Sequence, residues 1–392
     1  MKMQLCFWLQ EPLSEHYYKA FGIERLKKRG VELFFWDFTP WLAPRLWERK
    51  KNETYKIENY QLVHSWDAYV QLINMANVNW VVDFIGAREE SNDINKKARE
   101  KAVRRITCWQ VLGVRHIFPP TKFEIIIVSI YSDPVYSLKS AIKKVNRILL
   151  RKKIDSIEPD LYMCSGEFTE RMIAVQSNAV KIWAHSWDYD MYLQERSSTE
   201  REYKEDYIVF IDSSTPFHSD FLLNGRKSGV TAERYYPSLN KFFERVEQQL
   251  QLPVVVAAHP VSIYDEIGNL YDGRKIFKGK TASLVRDANL VITQSSTSDN
   301  YAVLWRKPLL VITTDEKIKT RGRWNLHATC KAFETDYINV DQADNNIDLW
   351  ELAQRPLKRY DFYRNGFIKR EGTSEKNSWE ILIDFLQGTQ YE

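Results

Sequence analysis

The sequence predicts an α/β protein of two Rossmann-like domains facing a cleft. Three observations predict it. Short apolar runs with strand character alternate with helical patterns, the rhythm of a largely parallel sheet. That rhythm stops at a polar, charged stretch, QERSSTEREYKED (194–206), and then restarts. Several of the apolar runs end in polar or reactive side chains, as strands do where their carboxyl ends face a ligand.

The elements follow in order. MQLCFWL (3–9) is a strand, SEHYYKAFGIERLKKRG (14–30) has helical spacing with Gly30 as its C-cap, and VELFFWD (31–37) is the next strand. NWVVDFIG (79–86) is a short buried strand, and NDINKKAREKAVRRI (92–106) reads as a helix. The branched apolar run FEIIIVSIY (123–131) reads with the strands, as do PDLYMCSGE (159–167) and AVKIWAHS (179–186). After the polar stretch come the strand YIVFID (207–212), the loop SSTPFHSDFLLNGRKSG (213–229), the helix YYPSLNKFFERVEQQLQ (235–251) and the strand VVVAAHP (254–260). The strand RKIFKG (274–279), helix TASLVRDA (281–288), strand NLVITQ (289–294), helix TSDNYAVLWR (297–306) and strand PLLVITT (308–314) complete the second set. EKNSWEILIDFLQG (375–388) is a terminal helix. The expected domains are 1–200 and 201–370, with 371–392 packing back on the first.

Composition sets outer bounds. The chain has 392 residues, 44% apolar and 28% charged, which describes a folded globular protein. A net charge of +4 does not point to nucleic acid. Aromatic residues reach 14%, with 13 Trp and 21 Tyr, a composition that suits aromatic cores and the binding of sugars or flat rings alike. Cys6, Cys108, Cys164 and Cys330 are scattered without metal-ligand spacing and read as reduced thiols. The N-terminal segment lacks the pattern of a signal peptide, and no apolar run approaches the ~18 residues of a membrane span. The expectation is a cytoplasmic protein without cofactor or bound metal.

The chemistry gathers at strand ends. His259 closes a buried strand immediately before Pro260, which stops the ladder and leaves the imidazole at the strand tip. Asp212 ends the first strand of the second set, and its loop adds His218 and Asp220. Ser295, Ser296, Thr297 and Ser298 follow a strand and precede a helical pattern, the arrangement of an N-cap beside an anion site. KGKTAS repeats it one unit earlier with Lys278, Lys280 and Thr281. In the first domain Glu167 ends a strand after Gly166, and His185 reads as a satisfied core histidine. Asp188 and Asp190 form an Asp-x-Asp pattern that suits a divalent cation, but three-residue patterns arise by chance often, and a place on the cleft wall or a solvated face accounts for it better. Asp212 and Glu167 are the candidate catalytic carboxylates, with Asp188 third and His259 beside them.

The run from AAHP through FKGKTASLVRDANLVITQSSTSDNYAVLWRKPLLVITTD resembles the nucleotide-binding half of bacterial GT-B glycosyltransferases that use CMP-activated sugar acids, the sialyl-, Kdo- and pseudaminyl-type enzymes. The resemblance covers residues 205–316. It implies that an HP motif (His259, Pro260) and a later SS/ST motif (Ser295, Ser296, Thr297, Ser298) contact the CMP moiety. It implies a metal-independent transfer from a CMP-sugar donor to a glycan or lipid-linked oligosaccharide acceptor held on the first domain. A CDP-glycerol-type phosphotransferase, a sugar-nucleotide 2-epimerase and a catalytically inactive carbohydrate-binding scaffold are the alternatives. SLKSAIKKVNRILLRKKI (137–154) sets Leu138, Ile142, Val145 and Leu149 on one face and basic residues on the others. It reads as a peripheral contact with the inner membrane surface, or as an ordinary surface helix packed on the sheet.

Overall fold

The protein is described by a computed structural model, which covers the chain except residues 1–2, 87–88, 133–156 (134, 137, 138 and 142 apart), 174–176, 219–227, 261, 343–347, 355–357 and 389–392. The chain divides into two units, one of Met1–Val111, Lys144–Trp187 and Arg370–Glu392, the other of Leu112–Lys143 and Asp188–Lys369. Each unit carries one parallel sheet.

The sheet of unit 1 consists of β1 (Gln4–Leu9), β2 (Glu32–Asp37), β3 (Tyr60–Leu62), β4 (Trp80–Asp83), β5 (Arg104–Trp109), β6 (Leu161–Cys164) and β7 (Val180–Trp183), in the order β3-β2-β1-β4-β5-β6-β7. Its topology reverses beside β1: Leu5 to Leu9 pair with Leu33 to Asp37 on one side, and Leu5 to Trp8 with Trp80 to Asp83 on the other. Phe7 and Phe35 stack at 5.4 Å within a fully buried core. The terminal helix Ser378–Leu386 belongs to this unit. Its buried Trp379 donates from Nε1 to the Ala20 carbonyl at 2.8 Å and lies 5.4 Å from Phe7.

Unit 2 holds β8 (Ile208–Ile211), β9 (Val254–Ala258), β10 (Ile276–Lys278), β11 (Leu290–Thr293), β12 (Leu309–Thr313) and β13 (Tyr337–Asn339), ordered β10-β9-β8-β11-β12-β13. β8, β9, β11 and β12 are buried throughout, which is why they read in the sequence as unbroken Val/Ile/Leu runs. The amphipathic helix Ala232–Leu250 buries Tyr235, Tyr236, Leu239, Phe242, Phe243, Val246 and Leu250, close to a 3.6-residue repeat.

Four local expectations change. The helix read over 92–106 ends at Glu100, and Arg104 already opens β5. FEIIIVSIY lies in a helix, Lys122–Ser132, not a strand. A short apolar run does not separate a strand from a helix, and the deciding signal stands just before it. The Thr121 hydroxyl accepts from the Glu124 amide at 3.2 Å, and the Glu124 carboxylate accepts from the Thr121 amide at 2.8 Å, a reciprocal capping box. The single helix expected over 14–30 is two short ones, Glu15–Ala20 and Ile23–Lys28, separated by Gly22 at φ +55° with Trp379 packed against it. The polar stretch after Trp187 is held to unit 2. Arg286 pairs with Glu195 at 3.1 Å, and Lys280 with Glu202 at 2.9 Å. The basic stretch 137–154 lies outside the described residues apart from Ser137, Leu138 and Ile142.

Candidate functional site

Because all six strands of unit 2 run parallel, their carboxyl ends share one edge. His259 follows β9, Asp212 follows β8, Gln294 and Ser295 follow β11, and Thr314 to Lys317 follow β12. The β8 and β11 loops each carry near their start a serine in the left-handed region, Ser214 at φ +50° and Ser295 at φ +71°. Such backbone costs roughly 1–3 kcal/mol and tends to persist where surroundings over-determine it, often at binding sites.

Asp212 is buried. Its Oδ1 accepts from the Ser214 amide at 2.9 Å and from the Tyr271 hydroxyl at 3.0 Å, and its Oδ2 accepts from the Tyr264 hydroxyl at 2.8 Å. Burial raises its pKa above the carboxylate range, opposed by these bonds and by Lys317. The carboxylate therefore anchors the β8 loop to two tyrosines from the segment after β9. His218, farther along that loop, meets the His259 ring edge to face at 4.7 Å. Asp220 lies outside the described residues.

The hydroxyl cluster differs from the expected cap. Its helix, Asp299–Leu304, has only six residues, and Ser298 makes no side-chain cap bond. The Ser296 amide already donates to Asp299 Oδ2 at 3.2 Å, and the Ser298 amide to Ser296 Oγ at 3.2 Å. A carboxylate thus sits where an anion was expected. Asp299 is buried and pushed up to about 7 by desolvation, against the bonds from Thr293 and Ser296.

Lys317 is the residue the sequence reading missed. It is 8% exposed, and its Nζ donates to Ser213 Oγ at 3.1 Å and Gln294 Oε1 at 2.9 Å. Burial lowers it to about 8, with Asp212 and Asp299 pulling the other way. Gln294 Oε1 also accepts from the Tyr235 hydroxyl at 2.5 Å. An ammonium can only donate, so this carbonyl must face Lys317 and the amide nitrogen must face away. That nitrogen and the Ser295 hydroxyl are buried without a hydrogen-bond partner among the described residues. The only sequence signal for it is its place in the loop after the apolar run PLLVITT, a strand end like those of Asp212 and His259.

The remaining predicted residues are placed as follows. Lys278 spends its ammonium on the Ser262 carbonyl at 2.9 Å and on Asp265 at 3.4 Å, while Lys280 pairs with Glu202. Thr281 opens the helix Thr281–Asp287, Thr297 is exposed, and Pro260 is half-buried. Glu167, in unit 1, is exposed at the start of a 3-10 turn, Glu167–Met172. His185 is buried with its ring nitrogens against the Ser186 and Lys376 carbonyls at 3.2 and 2.6 Å. Asp188 accepts from Asn300 Nδ2 at 2.7 Å and is pushed up to about 6 by burial. Among the described residues no three His, Cys, Asp or Glu side chains gather as a metal-ligand group, and no helix is long and apolar enough to cross a membrane.

With this geometry in hand, known proteins supply the frame. No family model matches the chain, and no curated protein matches it in sequence. Solved structures do match in fold. A putative UDP-N-acetylglucosamine 2-epimerase from Listeria monocytogenes superposes with a TM-score of 0.53 at 10% identity, over 100% of this chain and 98% of that one. The fold is GT-B. The wall teichoic acid polymerase TagF (H444N variant) also gives 0.53 at 10% identity, over 100% of this chain and 90% of its own. UGT2 of Phytolacca americana, complexed with UDP-2fluoro-glucose and pterostilbene, gives 0.53 at 9% identity over 99% of each chain.

Proposed function

We propose that this chain is a glycosyltransferase that holds a nucleotide-activated sugar at the carboxyl edge of the unit 2 sheet. One observation carries the reading: a buried cation, Lys317, stands beside two buried, unspent polar groups, Gln294 Nε2 and Ser295 Oγ, at that edge. Buried polar groups without partners are rare, and a ligand's oxygens would satisfy them. His259, at the neighbouring strand end, and His218, packed against it from the β8 loop, add imidazole rings. In transfer, the bond from the anomeric carbon to the phosphate oxygen breaks and the bond to the acceptor oxygen forms. The acceptor's proton passes to a base, and the released phosphate keeps the electron pair. Lys317 and His259 stabilise that charge without a divalent ion.

The donor we favour is a CMP-activated sugar acid, on the HP and SS/ST pattern of His259, Pro260 and Ser295–Ser298. Phosphate neutralisation falls to Lys317, whose ammonium donates only to the neutral oxygens of Ser213 and Gln294 among the described residues, rather than to Lys278 and Lys280, whose charges are paired with Asp265 and Glu202. Asp212 serves as a positioning residue. Buried and accepting three hydrogen bonds, it is poorly placed to take a proton from an incoming hydroxyl, and the exposed Glu167 becomes the carboxylate to test for that task. A glycan or lipid-linked acceptor belongs to unit 1. Peripheral contact with an anionic membrane is supported by exposed Phe123, Ile125 and Ile126, followed in sequence by the basic stretch 137–154. A thermal-shift comparison of CMP, CDP, UMP, UDP and GDP, with and without EDTA, tests the donor, because a ligand that binds only the folded state raises Tm. CMP should give the largest shift and EDTA should leave it intact. A UDP-selective or strictly Mn²⁺-dependent shift discards the CMP assignment.

A second reading, a sugar-nucleotide 2-epimerase, is favoured by the epimerase structures that match the chain end to end, one of them in complex with UDP-GlcNAc and UDP. It predicts UDP selectivity and turnover without acceptor, detectable by NMR of the sugar anomeric protons.

A further inference from the structure

Unit 1 contains a cavity of about 260 Å³ that none of the strand-end motifs touches. It opens beside the carboxyl ends of β1 and β4, the pair at which the strand order reverses, where open parallel sheets commonly take ligands. Leu9, Gln10 and Glu11 line it from the end of β1, Phe84 from the end of β4, and Cys108 and Val111 from the end of β5. Tyr17, Phe21 and Trp187 complete the wall.

The wall is preorganised. Phe21 and Phe84 stack at 4.7 Å with planes 5° apart, and Trp187 meets both edge to face at 5.7 and 5.8 Å. The indole Nε1 donates to Gln110 Oε1 at 3.0 Å, and the buried Gln110 in turn donates to the His185 carbonyl at 2.9 Å, so the ring cannot swing. Across the cavity the Glu11 carboxylate accepts from the Tyr17 hydroxyl on Oε1 and from Lys50 Nζ on Oε2 at 2.9 Å. A carboxylate accepts about four hydrogen bonds, so among the described residues two positions remain for a ligand's hydroxyls. The backbone leaves β4 through Gly86 at φ +74°, a conformation a side chain would strain.

We infer that this cavity binds one pyranose ring of a saccharide, its apolar C–H face against Trp187 and Phe84 and its hydroxyls donating to Glu11. Drug-sized ligands occupy ~300–1,000 Å³, so this volume suits a single sugar ring rather than a nucleotide-sugar. Binding stands on the cavity alone. The further clause, that the ring belongs to the acceptor, rests on the proposed function.

Saturation-transfer NMR on the full chain tests it, with the methyl glycosides of glucose, galactose, mannose and N-acetylglucosamine as probes. Transfer to the ring C–H protons of at least one of them is expected. Trp187→Ala should abolish it, and the conservative Glu11→Gln should weaken affinity about tenfold or more by removing a charged acceptor. Neither variant should change the nucleotide-induced Tm shift of unit 2. No transfer to any of the four glycosides, or transfer unchanged in both variants, overturns the inference. Saccharide binding without any nucleotide shift would leave the inference standing and remove the donor reading instead.

Discussion

Lys317→Met separates what the buried ammonium costs the fold from what it contributes to binding. Its pKa lies near 8 rather than 10.5 because desolvation disfavours the charge by more than Asp212 and Asp299 restore. That displacement corresponds to roughly 3 kcal/mol against the charged form at neutral pH. The sign follows from proton counting. Between about 8 and 10.5 the unfolded chain holds a proton that the folded chain has released, so this group's contribution to stability rises with pH across that window. Below about 8 both states are protonated and the full cost is present. Methionine removes that cost along with two hydrogen bonds from a charged donor, each worth about 1.5–3 kcal/mol. The terms oppose one another, so Tm should move by only a few degrees. Nucleotide affinity should not be spared. Losing a charged donor to phosphate is worth about ten- to a hundredfold in Kd. Isothermal titration with CMP and UDP reads the affinity, and repeating it as pH rises through about 8 adds an internal control. Wild-type affinity should fall as the ammonium deprotonates, and the variant should lack that step. A folded variant with unchanged Kd for both nucleotides, or one that keeps the step, would refute the assignment of Lys317 to the phosphate.

Three further outcomes are expected. His259→Ala should fold normally, since the residue ends a strand rather than filling the core, and should weaken nucleotide binding about ten- to a hundredfold in a fluorescence titration; unchanged affinity returns the histidine to a mere strand terminus. Asp212→Asn places an amide among the Ser214, Tyr264 and Tyr271 donors and should destabilise unit 2 by about 1–3 kcal/mol in urea unfolding. Run beside it, Glu167→Gln should cut turnover about a hundredfold or more with Tm unchanged; if Asp212→Asn instead keeps wild-type stability and loses only turnover, Asp212 is the base after all. Phe123→Ser with Ile126→Ser should reduce co-sedimentation with phosphatidylserine-containing vesicles and leave neutral vesicles unaffected. Equal sedimentation of variant and wild type would remove the membrane contact.

Much of the fold was present in local pattern. Runs such as VVVAA and LVIT read as strands because a strand covered on both faces needs no polar alternation, and the positions of His259 and Asp212 followed from where those runs stop. The terminal helix was legible because Asn377 caps an apolar stripe of its own. The branched run at 123–131 reads as a strand by its side chains, yet the Thr121–Glu124 box in front of it starts a helix. What sequence could not supply is the company each strand end keeps. Lys317 looks like a surface lysine in DEKIK until the fold brings Ser213 and Gln294, 104 and 23 residues away, against its ammonium. Four consecutive hydroxyls suggest a helix cap, yet the buried Asp299 supplied by their own helix takes the amide an anion would have used. Glu11 and Trp187 are 176 residues apart in sequence and line one cavity because the parallel sheet of unit 1 brings the segments after β1 and β7 to the same carboxyl edge. Local propensity acts over a few residues and decides what each segment becomes. Burial and charge pairing act across the chain, and they decide which of the segments' side chains are left with chemistry to do.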